Sequence, residues 1–201
     1  MQHYEFNVQQ DKQQIEALIA FSSMATLITG PEARVGVFNP VYRDGCFYLH
    51  LHRQDPQFLE MEKLPRVRLV FFDFLCNIPS YWVHEKYGGA ATSYYRFADF
   101  DCAGECFRDV PSIARITQYF LDQYQQEGGY EALSEQSKLY QSSFEMLGVV
   151  KLSPVNCQAK WKLGQNRTVA QRQQIIQKLR ERNHGNDLRA AQEVKGWMET
   201  H

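Results

Sequence analysis

The sequence predicts an α+β protein, a mainly antiparallel β-barrel with helices at its ends and a helix pair closing the chain. Runs of β-branched and aromatic residues, bounded by turn signals, dominate residues 24–107 and 148–162. Apolar residues at helical spacing are confined to an opening segment, a central stretch and the C-terminal quarter. Where the last strand gives way to helix, Thr168 and Gln171 stand at capping-box spacing.

Each element follows from local chemistry. Ile15, Leu18 and Ile19 place a short helix over Asp11 to Phe21. Met24 to Thr29 and Arg34 to Tyr42 read as strands, and the Asp44-Gly45 pair suits a tight hairpin. In the returning strand Phe47, Leu49 and Leu51 alternate with Tyr48, His50 and His52, so one face is apolar and the other carries two imidazoles. Pro56 to Lys63 is a short helix, Val67 to Leu75 a buried strand, and 77–90 a loop with exposed rings. One or two strands follow over Ala91 to Phe107. Pro111 opens a helix with Ile113, Ile116 and Phe120 on one face, Gly128-Gly129 stops it, and a further helix is expected from Tyr130 to Phe144. Gly148 to Lys162 is again strand, and two helices end the chain, Val169 to Arg182 and about Asp187 to Met198.

At 201 residues, 44% hydrophobic and 22% charged, the chain can bury one sizeable core. We expect a single domain over 1–201, with 167–201 as a helical appendage. A formal net charge of −1 provides no global field toward nucleic acid or an anionic membrane. The local exception is Lys160 to Arg182, where seven cationic residues face one acid, Glu181, although solvated helix faces commonly look this way. Met1 to Gln10 is polar and no apolar run has the length of a membrane span, so neither signal peptide nor transmembrane helix is expected and a cytoplasmic location is. The five cysteines form no C-x-x-C pair, which fits reduced, mostly buried thiols and no structural zinc. P-loop, G-x-G-x-x-G, G-x-S-x-G and H-E-x-x-H patterns are absent, so the hydrolase and nucleotide-triphosphatase classes lose their usual support.

Two stretches carry candidate chemistry. Trp161-Lys162-Leu163-Gly164-Gln165-Asn166-Arg167 places amide, guanidinium and backbone N–H donors at a strand-to-helix corner, where a phosphate or carboxylate is stabilised. A polar loop that merely caps the helix is the competing reading. His50 and His52, spaced by two on a strand, are hydrogen-bonded fillers, exposed side chains or ligands. No third metal ligand is suggested by spacing, so no metal site is expected.

These stretches resemble the PaiB-type FMN-binding negative regulator family, which has the FMN-binding split barrel of pyridoxamine phosphate oxidases. His50-Leu51-His52-Arg53-Gln54-Asp55-Pro56-Gln57-Phe58 is similar to the family's H-x-A-R-A-N-P-Q-W, and Ala159 to Arg167 to its G-K-F-K-L-S-Q-N-R. Pro79-Ser80-Tyr81-Trp82 resembles P-S-W-Y with the rings exchanged, and Ala91-Thr92-Ser93-Tyr94-Tyr95 keeps the Thr and final Tyr of P-T-W-N-Y.

The resemblance implies an FMN-binding homodimer, with the flavin between subunits and a negative role in transcription. Arg53 would be the first phosphate ligand and Lys162 the second. His50, Ser80 and Thr92 would be neutral donors, Trp82 and Tyr94 ring contacts, and His52 bulk beside the pocket. Gln165 and Asn166 would bond ring or ribityl oxygens. A flavin-dependent oxidoreductase, a haem binder through His50, His52 or His84, and a cofactor-free barrel remain open as alternatives. The final helix pair is expected to pack on the barrel rather than read DNA, and the low net charge gives little non-specific DNA affinity.

Overall fold

The computed structural model describes residues 4–6 and 12–200. Most of the polar Met1 to Gln10 stretch, together with Asp11, lies outside the described residues. In chain order the elements are β1 (Tyr4–Phe6), α1 (Lys12–Phe21), β2 (Ala25–Thr29), β3 (Arg34–Phe38), β4 (Val41–Arg43), β5 (Cys46–His52), α2 (Pro56–Lys63) and β6 (Arg66–Ile78). Two short 3₁₀ turns, Ser80–Trp82 and Gly88–Ala90, precede β7 (Thr92–Phe107). After them come α3 (Val110–Tyr124), α4 (Gln141–Met146), β8 (Leu147–Lys162), α5 (Val169–Arg182) and α6 (Asp187–Thr200). The strands join one sheet in the order β3-β2-β6-β7-β8-β5-β4, with β1 pairing on β8. The registers β2/β3, β2/β6, β4/β5, β5/β8 and β1/β8 are all antiparallel. The α+β class and the dominance of antiparallel pairing are as the sequence predicts.

Two compact units are distinguishable. One comprises Ile19–Phe71 and Asp99–Cys157. Its β4/β5 hairpin turns on Asp44 and Gly45 at φ 52° and 76°, the paired positive values that a two-residue turn of matching twist requires. Phe47, Leu49 and Leu51 are buried, and the Phe47 ring packs 5.4 Å from Phe71 and 4.9 Å from Phe100. Each such burial stabilises by about 1.5–3 kcal/mol. Helix α3 buries Ile113, Ile116 and Phe120 against Val41 and Val149.

Two expectations in this unit need correction. The strand expected over Arg34 to Tyr42 is two strands, because Asn39-Pro40 interrupts it and proline has no N–H for a ladder. The helix expected from Tyr130 to Phe144 is reduced to α4. Upstream of it the chain prefers local side-chain bonds. Ser134 Oγ accepts from the Gln136 N–H (3.3 Å), Ser137 Oγ bonds the Glu131 carboxylate (3.1 Å), and the Tyr140 hydroxyl donates to the Glu131 carbonyl.

The other unit comprises the described residues of Met1–Leu18, with Phe72–Ala98 and Gln158–His201. Helices α5 and α6 bury Ile175, Ile176, Leu179, Ala190, Ala191 and Val194, so their apolar positions serve packing. The capping box is present: Thr168 Oγ1 accepts from Gln171 N (3.2 Å) while Thr168 N donates to Gln171 Oε1 (3.1 Å). Asn183 ends α5 in the left-handed region at φ 44°. An ionic network fastens α6 within this unit. The buried Asp73 carboxylate on β6 accepts from Arg96 of β7 (2.9 Å) and from both amino groups of Arg189 on α6 (2.6 and 2.7 Å). Arg96 reaches on to Glu193 (2.7 Å). Among the described residues no helix is long and apolar enough to cross a membrane.

Candidate functional site

The strand-to-helix corner after β8 is built around one glycine. Gly164 sits at φ +80°, a conformation that favours a residue without Cβ, and its carbonyl accepts from Arg167 N (2.9 Å). Gln165 braces the turn. Its Oε1 accepts from Leu163 N (2.9 Å) and its Nε2 donates to the Trp161 carbonyl (2.6 Å), so this amide serves the chain itself. The strand's alternation persists to its end: Trp161 and Leu163 are buried, while Lys162 between them is half-buried.

Beside this corner lies a recess of about 120 Å³ whose wall includes Thr92 and Tyr94 of β7 and Lys162, Asn166 and Arg167 of the corner. None of its nine lining residues is acidic. Arg167 anchors one amino group on the Ala90 carbonyl (2.9 Å), and the Lys162 ammonium stands 5.8 Å over the Tyr95 ring. Neither cation has a carboxylate partner among the described residues. Tyr94 is 0% exposed, yet its hydroxyl has no hydrogen-bond partner. Burial pushes this phenol up to about 12, against the opposing pull of nearby Arg167, so it stays protonated and able to donate at neutral pH. Two cations without carboxylate partners form an arrangement that stabilises an anion.

The sequence-derived candidates separate into three groups. Thr92, Tyr94, Lys162, Gln165 and Asn166 all line the recess, and Asn166 is exposed. Ser80 and Trp82 lie in the same unit in the first 3₁₀ turn but outside the recess lining. Trp82 is buried, and the Arg182 guanidinium covers its ring at 4.6 Å. His50, His52 and Arg53 belong to the other unit. There the Arg53 guanidinium donates to the Phe144 carbonyl (2.7 Å) and to Leu147 O (3.1 and 3.3 Å), collecting carbonyls at the end of α4. His52 is exposed, and its Nδ1 accepts from Gln54 N (3.1 Å). His50 packs edge-on against Phe120 at 4.4 Å, and burial lowers its pKa so that the imidazole is held neutral. No cluster of three metal-ligating side chains occurs among the described residues. The guanidinium that the sequence places at the strand-to-helix corner is that of Arg167, and the run without acids that ends at Glu181 leaves it and Lys162 without a local counter-charge; the part played by Gly164 has no such signal.

No protein-family model matches the chain, and no curated protein matches it. Solved structures do. A candidate 5-nitroimidazole antibiotic resistance protein from Bacteroides thetaiotaomicron is 16% identical at a TM-score of 0.59, over 80% of this chain and 89% of that one. The flavocytochrome of Azotobacter vinelandii is 14% identical at 0.58, over 76% and 67%. An FAD and heme binding protein from Mycobacterium smegmatis is 12% identical at 0.56, over 76% and 72%. At such identities the likeness is one of fold, and the fold of this chain is the α+β split β-barrel.

Proposed function

We propose that the chain is an FMN-binding split-barrel protein of the PaiB type, holding its flavin at a homodimer interface and acting as a negative transcriptional regulator. The observation that carries the flavin reading is the recess lined by Lys162 and Arg167, neither of which has a carboxylate partner among the described residues. FMN ends in a phosphate, and these residue types fit that group. The likeness in fold to a flavocytochrome and to an FAD and heme binding protein supports a flavin in general.

The homodimer is supported by size and by surface. A recess of about 120 Å³ lies below the roughly 300–1,000 Å³ of whole-ligand sites, so it takes one group of the cofactor and leaves the ring system to be covered by other surfaces. Phe72 and Phe74 on β6 are 58% and 44% exposed, and Tyr95 of β7 stands 5.8 Å from Phe72, an aromatic band suited to burial by a second copy. Regulation belongs to the proposal through the resemblance of the two motifs.

Protein incubated with FMN and then desalted is expected to keep a yellow flavin spectrum in proportion to protein and to sediment as a dimer. A colourless product removes the flavin reading, and a monomer that stays yellow removes the interface. Gel shifts across salt concentration test direct DNA contact, and no shift at low salt eliminates it.

A further inference from the structure

We propose that the groove between α3 and the connection that follows it binds a free α-amino acid with an apolar side chain, Arg115 taking the carboxylate and Glu135 the ammonium. The proposal stands apart from the flavin reading and uses none of its residues.

The connection from Tyr124 to Gln141 contains no helix or strand, and it exceeds the roughly 12–15 residues beyond which an irregular segment of a compact domain is commonly functional. It is nonetheless held in place. Gln125 Nε2 donates to the Gly128 carbonyl (2.8 Å), Gln118 Nε2 on α3 donates to the Tyr130 hydroxyl (3.1 Å), and Leu133 packs on the core that α3 helps to form. The groove between this pinned segment and α3 has a volume of about 540 Å³. Sites for small molecules occupy roughly 300–1,000 Å³, so a whole ligand fits.

The lining combines apolar surface with two unspent charges. Tyr119 and Leu133 both pack against buried core residues, and the Tyr119 ring is held edge-on by Tyr48 at 5.1 Å, so neither has to move to receive a hydrocarbon group. Arg43 and Asp122 also line the groove, but they answer one another at 3.4 Å, and the Arg43 guanidinium lies over the Tyr119 ring at 4.4 Å. Arg115 and Glu135 have no hydrogen-bond or ion-pair partner among the described residues. Asp109 feels the charge of Arg115, yet its carboxylate is committed to capping α3 through Ser112 N (2.9 Å). One open cation and one open anion therefore remain.

That pair of signs selects the class of ligand. A simple anion would leave Glu135 unanswered and a simple amine would leave Arg115 so, and an unanswered charge discriminates against the ligand that causes it. The end of a protein chain carries only one of the two charges. A free α-amino acid carries both, and a side chain such as that of phenylalanine or leucine matches the surface of Tyr119 and Leu133.

The test is titration of the full chain, followed by NMR, with phenylalanine, with N-acetylphenylalanine, which lacks the ammonium, and with phenylalaninamide, which lacks the carboxylate. Arg115→Gln and Glu135→Gln are the variants; both side chains are exposed, so folding is preserved. The native chain is expected to bind phenylalanine about 10-fold more tightly than either analogue, the lower end for a hydrogen bond to a charged group. Arg115→Gln should abolish the preference over the amide and keep that over the acetylated form, and Glu135→Gln should do the reverse. No binding of phenylalanine at millimolar concentration overturns the site. Equal affinity of the native chain for the three compounds overturns the selection by charge. Preferences that stay unchanged in the variants, or that fall equally for all three compounds, overturn the roles of Arg115 and Glu135.

Discussion

The corner after β5 and the corner after β8 are written in the same local grammar and put to opposite uses. Each ends a strand, carries an arginine, and enters a helix through a side-chain cap: Asp55 Oδ1 accepts from Gln57 N (2.8 Å) at one, Thr168 Oγ1 from Gln171 N (3.2 Å) at the other. At the first corner the Nε and one amino group of Arg53 are engaged by carbonyls of residues more than ninety positions away. At the second, Arg167 holds a single carbonyl, and Lys162 stands near it without a carboxylate. An arginine in a recognisable motif is thus open to a phosphate only in the measure that the fold leaves its donors unfilled.

The comparison breaks most sharply at Arg53. Arg53→Ala leaves the carbonyls of Phe144 and Leu147 without their charged donor, and the expected loss is about 2–3 kcal/mol in denaturant unfolding. The preference for FMN over riboflavin is expected to survive; its disappearance would return Arg53 to the phosphate. Gly164→Ala is expected to cost about 2 kcal/mol, since the φ of +80° disfavours a Cβ and that Cβ meets Tyr94 Oη. Adding Tyr94→Phe should recover part of that loss, and strict additivity would show that the two do not touch. The smallest effect is the shared one. Asp55→Ala and Thr168→Ala are each expected to lower stability by about 1 kcal/mol, and a markedly larger value at one corner would show that its cap does more than begin a helix.

Elements with strong local signals were legible. The hairpin at Asp44-Gly45, the helix over Pro56–Lys63 and the capping box at Thr168 each depend on residues within four positions of one another. The segment 130–140 misled because helical spacing competes there with Ser134 and Ser137, whose hydroxyls find nearer partners. Site residues follow the same divide. Thr92, Tyr94, Lys162 and Asn166 converge on one recess, as a strand-to-helix corner suggests. The employment of Arg53 was not legible, because its partners belong to the end of a helix distant in sequence. Trp82 looked like an exposed ring in a polar loop, but Arg182 from α5 covers it. The unfilled hydroxyl of Tyr94 leaves no trace in sequence at all.

The carboxylate of Asp73, gripped by two arginines, makes the hold on the C-terminal helix sensitive to acid. Burial alone would raise its pKa, but Arg189 and Arg96 outweigh burial and hold it below the ordinary aspartate value of 3.8. A depressed folded value means that the clasp contributes its full strength above about 3.8 and weakens as pH falls through the lower folded value, when protonation leaves two guanidinium groups facing each other. In strong acid the final helix should therefore gain amide exchange before the Phe47 core opens, releasing the chain from its C-terminal end.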